Sequence, residues 1–113
     1  MIHLTPDLLE ISYERLRLTL PFRRWKLPPA DDVLFSVLTT KDRQGDYCFE
    51  NGKHHIRVSH SRHMTLAPMD MTLAHEMCHL RAQMQGERSD HGALFNKAAD
   101  QVCRHHGYDR GQF

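Results

Sequence analysis

Several things are scarce or missing in this chain, and each absence removes a class of explanation. There is no CxxC pair: the three cysteines, Cys48, Cys78 and Cys103, are odd in number and widely spaced. That excludes a zinc ribbon and implies no disulfide framework, so reduced thiols in an intracellular protein are expected. No run approaches the ~20 apolar residues that cross a bilayer. The opening MIHLTPDLLE has neither a basic start nor an apolar stretch, so it does not read as a signal peptide. Excess charge is missing too: the net value is +1, too small for the chain as a whole to bind nucleic acid electrostatically. Repeats, low-complexity tracts and a clear linker are also lacking. The expectation is a cytoplasmic protein without membrane contact, its 113 residues forming one domain over 1–113.

What is present is patterned. TPDLLEISYERLRLTL predicts a first helix, with Thr5 as cap, Pro6 in the first helical position and Asp7 near the positive end of the dipole. Leu9, Tyr13, Leu16 and Leu20 give it one apolar stripe, and Pro21 is expected to stop it. VLFSVLTT reads as a strand. DYCFE-NG-KHHIRVS predicts a hairpin about a type I′ turn at Asn51 and Gly52. That register sets Glu50 opposite Lys53 and Asp46 opposite Arg57, with Tyr47 and Phe49 on one face with Ile56 and His54.

A long helix follows, from about Thr65 or Pro68 to Gln85, before Gly86. A last helix is expected to start with Ser89 or Asp90 as cap and to run to about His106, before Gly107. The order is that of an α+β domain: a small, mainly antiparallel three-stranded sheet covered on one face by helices.

The long helix carries the chemistry. Leu66, Met69, Leu73, Met77, Leu80 and Met84 form one stripe, while His75 and His79 lie on another face, about 40° apart, with Met71, Ala74, Cys78 and Ala82. A helix apolar on two sides should be sandwiched, and its histidines should face another element. Histidines at i and i+4 can converge on one metal ion, and the intervening Glu76 can reach a water on that ion without ligating it. Catalytic zinc usually takes three protein ligands. His91 would be the third, with Glu87 and Asp90 as acidic alternatives in the same loop. Zinc lowers the pKa of its water to about 7, and Glu76 would take the proton as general base. Imidazoles accept several metals, so zinc is an inference from ligand type.

The stretch TLAHEMCHLRAQMQGERSDHGALFNKAA resembles the active-site region of the SprT-like family, which includes Spartan-type proteases. Members carry HExxH on a helix and a third histidine in an HGxxF-like segment, matched here by residues 75–79 and 91–95. The resemblance implies a zincin-like domain of the minigluzincin type, one zinc ion on His75, His79 and His91, Glu76 as general base, and a polypeptide substrate. Relatives with known roles cut proteins crosslinked to DNA. The cysteine zinc ribbon of many relatives is absent from these residues.

Other residues have plainer readings beside functional ones. Arg15, Arg17, Arg23, Arg24 and Lys26 around Trp25 form either a basic patch for DNA or a solvated face beside a core tryptophan. His54, His55, His60 and His63 either line the cleft or are structural. Asp90 reads as a helix cap, and Asp100 as a possible partner of a ligand histidine. Tyr108, His105 and His106 are candidates for stabilising an oxyanion. The hairpin edge offers an extended peptide a strand to pair with. The rival to a zinc endopeptidase is a metal-stabilised module that binds DNA or protein without cutting it.

Overall fold

A computed structural model describes residues 1–61 and 64–113; His63 lies outside the described residues. Helix α1 (Pro6–Arg17) begins as its sequence dictates, with the Thr5 hydroxyl accepting from the Leu8 amide at 3.1 Å. It ends earlier than Pro21 because the last turn tightens: Leu18 N donates to Arg15 O and Thr19 N to Leu16 O, while the Thr19 hydroxyl also donates to Leu16 O at 2.6 Å. Leu9, Tyr13 and Leu16 are buried, and the Tyr13 hydroxyl donates to Pro28 O at 2.6 Å. This fixes α1 to the segment leading into β1 (Val33–Leu38).

Strands β2 (Gly45–Glu50) and β3 (Lys53–Ser59) form the expected hairpin. Asn51 and Gly52 both have positive φ, +53° and +73°, as a type I′ turn requires. Glu50 pairs with Lys53 and Asp46 with Arg57, whose Nε and Nη2 both donate to the Asp46 carboxylate at 2.6 Å. The sheet is mixed rather than mainly antiparallel, with order β1-β3-β2 and β1 parallel to β3. The hairpin leaves one side of β3 free and β1 occupies it, so the 39–44 link must cross the end of β3. That crossing is tied down by Ser59 N to Gln44 O at 2.8 Å, the Ser59 hydroxyl to Arg43 O at 2.6 Å, and His60 N to Leu38 O at 2.8 Å. β2 is left as an edge strand.

Helix α2 (Leu66–Met84) lies on the sheet face that carries Phe35, Tyr47 and Ile56. It is sandwiched as its double apolar face requires: Met69, Leu73, Met77 and Leu80 are fully buried, and so are Ala74 and Cys78. The stripe fails at its ends, where Leu66 is 51% and Met84 43% exposed, because the helix outruns the elements packed on it. Helix α3 (Ala93–His106) covers α2 through Phe95, Ala98, Ala99 and Val102. Gly86 and Gly107 follow the two helix ends as expected. No helix among the described residues is long and apolar enough to cross a membrane.

Candidate metal centre

The α3 N-terminus departs from the expected cap, and the departure builds the site. Gly92, not Ser89 or Asp90, occupies the cap position, and it has no side chain to offer. The Glu87 carboxylate substitutes, accepting from Leu94 N and Phe95 N at 2.9 Å each, with its charge at the positive end of the helix dipole. A Cβ on Gly92 would lie 2.2 Å from Glu87 Oε1, so a glycine is needed for that carboxylate to reach the amides. His91 takes φ +51°, which turns the chain sharply into α3 and brings its ring over α2. Glu87 is therefore a cap rather than a ligand.

His75, His79 and His91 come together, each offering a ring nitrogen within 4.8 Å of the others. His75 Nε2 and His91 Nε2 are 3.4 Å apart. Two nitrogens each ~2.05 Å from a tetrahedral ion would be about 3.3 Å apart, so the spacing fits a metal edge. Burial, together with the neighbouring histidines, pushes His79 down to about 4, and burial lowers His75. The imidazoles of both are thus neutral at neutral pH, with lone pairs available. Asp90 stands outside the cluster, 3.8 Å from His79 Nδ1 and 3.7 Å from His91 Nδ1. The donor set is three imidazoles, and it fits a single metal ion.

Two aromatic rings hold these imidazoles. Phe95, 2% exposed, has its ring centroid 5.0 Å from His75, 4.3 Å from His79 and 4.6 Å from His91. Tyr47 on β2 stacks parallel to His79 at 6.4 Å, and its hydroxyl pairs with His54 Nδ1. Sequence spacing showed Phe95 only as part of a motif and gave Tyr47 no role.

Glu76 is 4% exposed and lines a hollow of about 220 Å³ with Gln44, Gly45, Met71, Thr72 and His75. Its carboxyl is pushed up to about 8, mainly by burial and then by the Asp46 and Asp90 carboxylates. A cation on the histidines would oppose that shift. Gly45 lets β2 pass close: a Cβ there would meet Arg57 O at 2.8 Å, Thr72 Cγ2 at 3.0 Å and Glu76 Oε2 at 3.2 Å. A second hollow, also about 220 Å³, lies further along α2 and β2, beside Tyr47, Phe49, His79 and Asp90.

The remaining candidates fall elsewhere. Asp100 pairs with Arg110 at 2.8 Å instead of a ligand histidine. His55 faces away from the cleft and pairs with the Ser36 hydroxyl at 2.8 Å, and His60 packs edge-on against His3. His106 pairs with Thr19 at 2.9 Å and stacks on Tyr108; neither they nor His105 line the hollow beside Glu76. Cys78 is a packed thiol, held well above its ordinary pKa by burial. Trp25 is 6% exposed, with the Arg81 guanidinium 5.7 Å over its ring. Arg15 pairs with Asp70 and Arg17 with Glu14, leaving Arg23, Arg24 and Lys26 exposed.

A family model described as the SprT-like family matches residues 10–110. No curated protein and no solved structure matches the chain.

Proposed function

The chain belongs to the SprT-like family, and from that premise and the geometry of its histidine cluster we propose a zinc-dependent endopeptidase acting on polypeptides. The observation that carries this reading is Glu76: a buried carboxylate facing a hollow, next to three converging imidazoles. A metal kept only for structure has no use for a base there. Zinc on His75, His79 and His91 would supply an open coordination position, polarisation of the peptide carbonyl and a more acidic water. Glu76 takes the proton from the attacking water and delivers it to the departing amine. Burial alone would keep this carboxyl protonated at neutral pH, and a cation on the histidines, by opposing the upward shift, would leave it free to accept that proton. Phe95 and Tyr47 keep the imidazoles in place, which shortens the search for the reactive geometry.

The surroundings support a polypeptide as the substrate. β2 is an edge strand beside the histidines, and a hollow lies on each side of them along it. An extended polypeptide can pair with β2 through main-chain bonds and place side chains in both hollows. Hollows on both sides of the histidines favour an extended chain over a small amide or ester.

A second reading, a metal-stabilised module that binds DNA or protein, draws on the exposed Arg23, Arg24 and Lys26. Base stacking is closed to the buried Trp25, so such contact would be to phosphates. Cleavage of a DNA-binding protein by zinc-loaded chain, with and without single-stranded DNA, separates the readings by mass spectrometry. The peptidase reading predicts fragments that vanish in Glu76→Gln; zinc binding without cleavage under any condition would favour the module. Stimulation by DNA would add nucleic acid as a partner of the peptidase.

A further inference from the structure

Past Gly107, residues 108–113 fold back toward α2 and α3. The amides of Gln112 and Phe113 donate to Asp109 O at 3.0 and 3.1 Å, and Gly111 N donates to Asp109 Oδ1 at 2.9 Å. Arg110 clamps this turn to α3: its Nε donates to Asp100 Oδ1 at 2.8 Å and its Nη2 to Asn96 Oδ1 at 2.7 Å. The Tyr108 and Phe113 rings stack at 5.8 Å, and the Phe113 ring lies 5.3 Å from that of His75.

The outcome of these contacts is one hydrogen bond. His75 Nδ1 lies 2.7 Å from the main-chain oxygen of Phe113. That oxygen can only accept, so the Nδ1 of His75 must carry the proton and donate it. Nε2 is then left with its lone pair, and Nε2 is the nitrogen facing His91. Among the described residues, His79 and His91 have no equivalent partner, and Asp90 stands beyond hydrogen-bond range of both.

We infer that residues 108–113 form a strap belonging to the metal centre, in which Arg110 is a positioning residue that holds the Phe113 oxygen where it fixes the tautomer and ring orientation of His75. The inference rests on the metal reading of the three histidines. Outer partners of ligand histidines fix their tautomer and raise their basicity, and losing one typically costs ~10–100-fold in metal affinity. Asp100, read from the sequence as a candidate partner of a ligand histidine, acts here through Arg110.

Zinc affinity measured by chelator competition, together with nitrogen NMR of the histidine rings in the metal-free protein, tests the strap. Arg110→Ala should bind zinc about tenfold or more weakly, and the His75 proton should no longer be confined to Nδ1. Arg110→Lys, able to keep one of the two bonds, should fall between. The Asp100 side chain is 61% exposed against 41% for Arg110, so Asp100→Asn offers a second, milder release of the clamp should Arg110→Ala unfold. Wild-type zinc affinity with the His75 proton still on Nδ1 in these variants would overturn the strap alone. Weakened zinc binding with that tautomer unchanged would overturn it too, since general loosening would suffice. Failure of the unaltered chain to bind zinc would overturn the metal reading and the strap together.

Discussion

Histidines gather in two regions of this protein, and their partners differ. On the hairpin, His54 and His55 each meet a hydroxyl, Tyr47 and Ser36, and each satisfies a ring nitrogen within the sheet. Between α2 and α3, His75, His79 and His91 turn nitrogens toward one another with a buried carboxylate beside them. Burial lowers the pKa of His54 as it does those of His75 and His79. Desolvation therefore does not distinguish a ligand from a structural histidine. What sets His75, His79 and His91 apart is that one ring nitrogen of each converges with those of the other two, whether or not the second nitrogen is paired.

The strongest way to sharpen that contrast is to change the base and leave the ligands. Glu76→Gln should lower peptide hydrolysis by ~10²–10⁴-fold while zinc still binds one to one, read by fragment yield and metal analysis. Next comes the ligand set itself. His79→Ala or His91→Ala should weaken zinc by more than the ~10–100-fold that an outer partner is worth, whereas His55→Ala should leave affinity unchanged; chelator competition on all three decides. Comparable losses from His55→Ala would erase the distinction between the regions.

Glu87→Ala acts on the support rather than the ligands. Loss of the carboxylate that caps α3 should cost about 0.5–2 kcal/mol of folding stability, measured by urea unfolding of metal-free protein, with His91 less well held. The smallest effect belongs to the hairpin. Burial works to raise the Asp46 carboxyl, but hydrogen bonds from Arg57 and Arg43 outweigh it and hold it below the usual 3.8. The folded state therefore binds that proton less readily than the unfolded chain. The stability Asp46 adds is complete above 3.8 and is lost as pH falls through the lowered value. Asp46→Asn should flatten this acid limb in pH-dependent unfolding.

Local signals were legible where the physics is local. Thr5, Pro6 and Asp7 announce α1, the Asn51-Gly52 turn sets the hairpin register, and the i, i+4 spacing of His75 and His79 puts them on one face of α2. What the residues could not reveal depends on distant neighbours. Strand β1 docks parallel on the side of β3 that the hairpin leaves open, a fact of assembly and not of the VLFSVL run itself. The sequence predicts Ser89 or Asp90 as the cap of α3, but a longer side chain reaching from Glu87 takes the amides. No spacing rule brings the Phe113 oxygen onto His75, 38 positions earlier. The motif gave the chemistry, and the tertiary contacts gave the residues that hold it still.

X-ray absorption spectroscopy of the zinc-loaded chain addresses the three-histidine centre most directly. One zinc per chain is expected in a four-coordinate environment: three imidazole nitrogens at ~2.0–2.1 Å and one light oxygen ligand, without sulfur. Sulfur scattering at ~2.3 Å, or a zinc environment unchanged by His91→Ala, would contradict it.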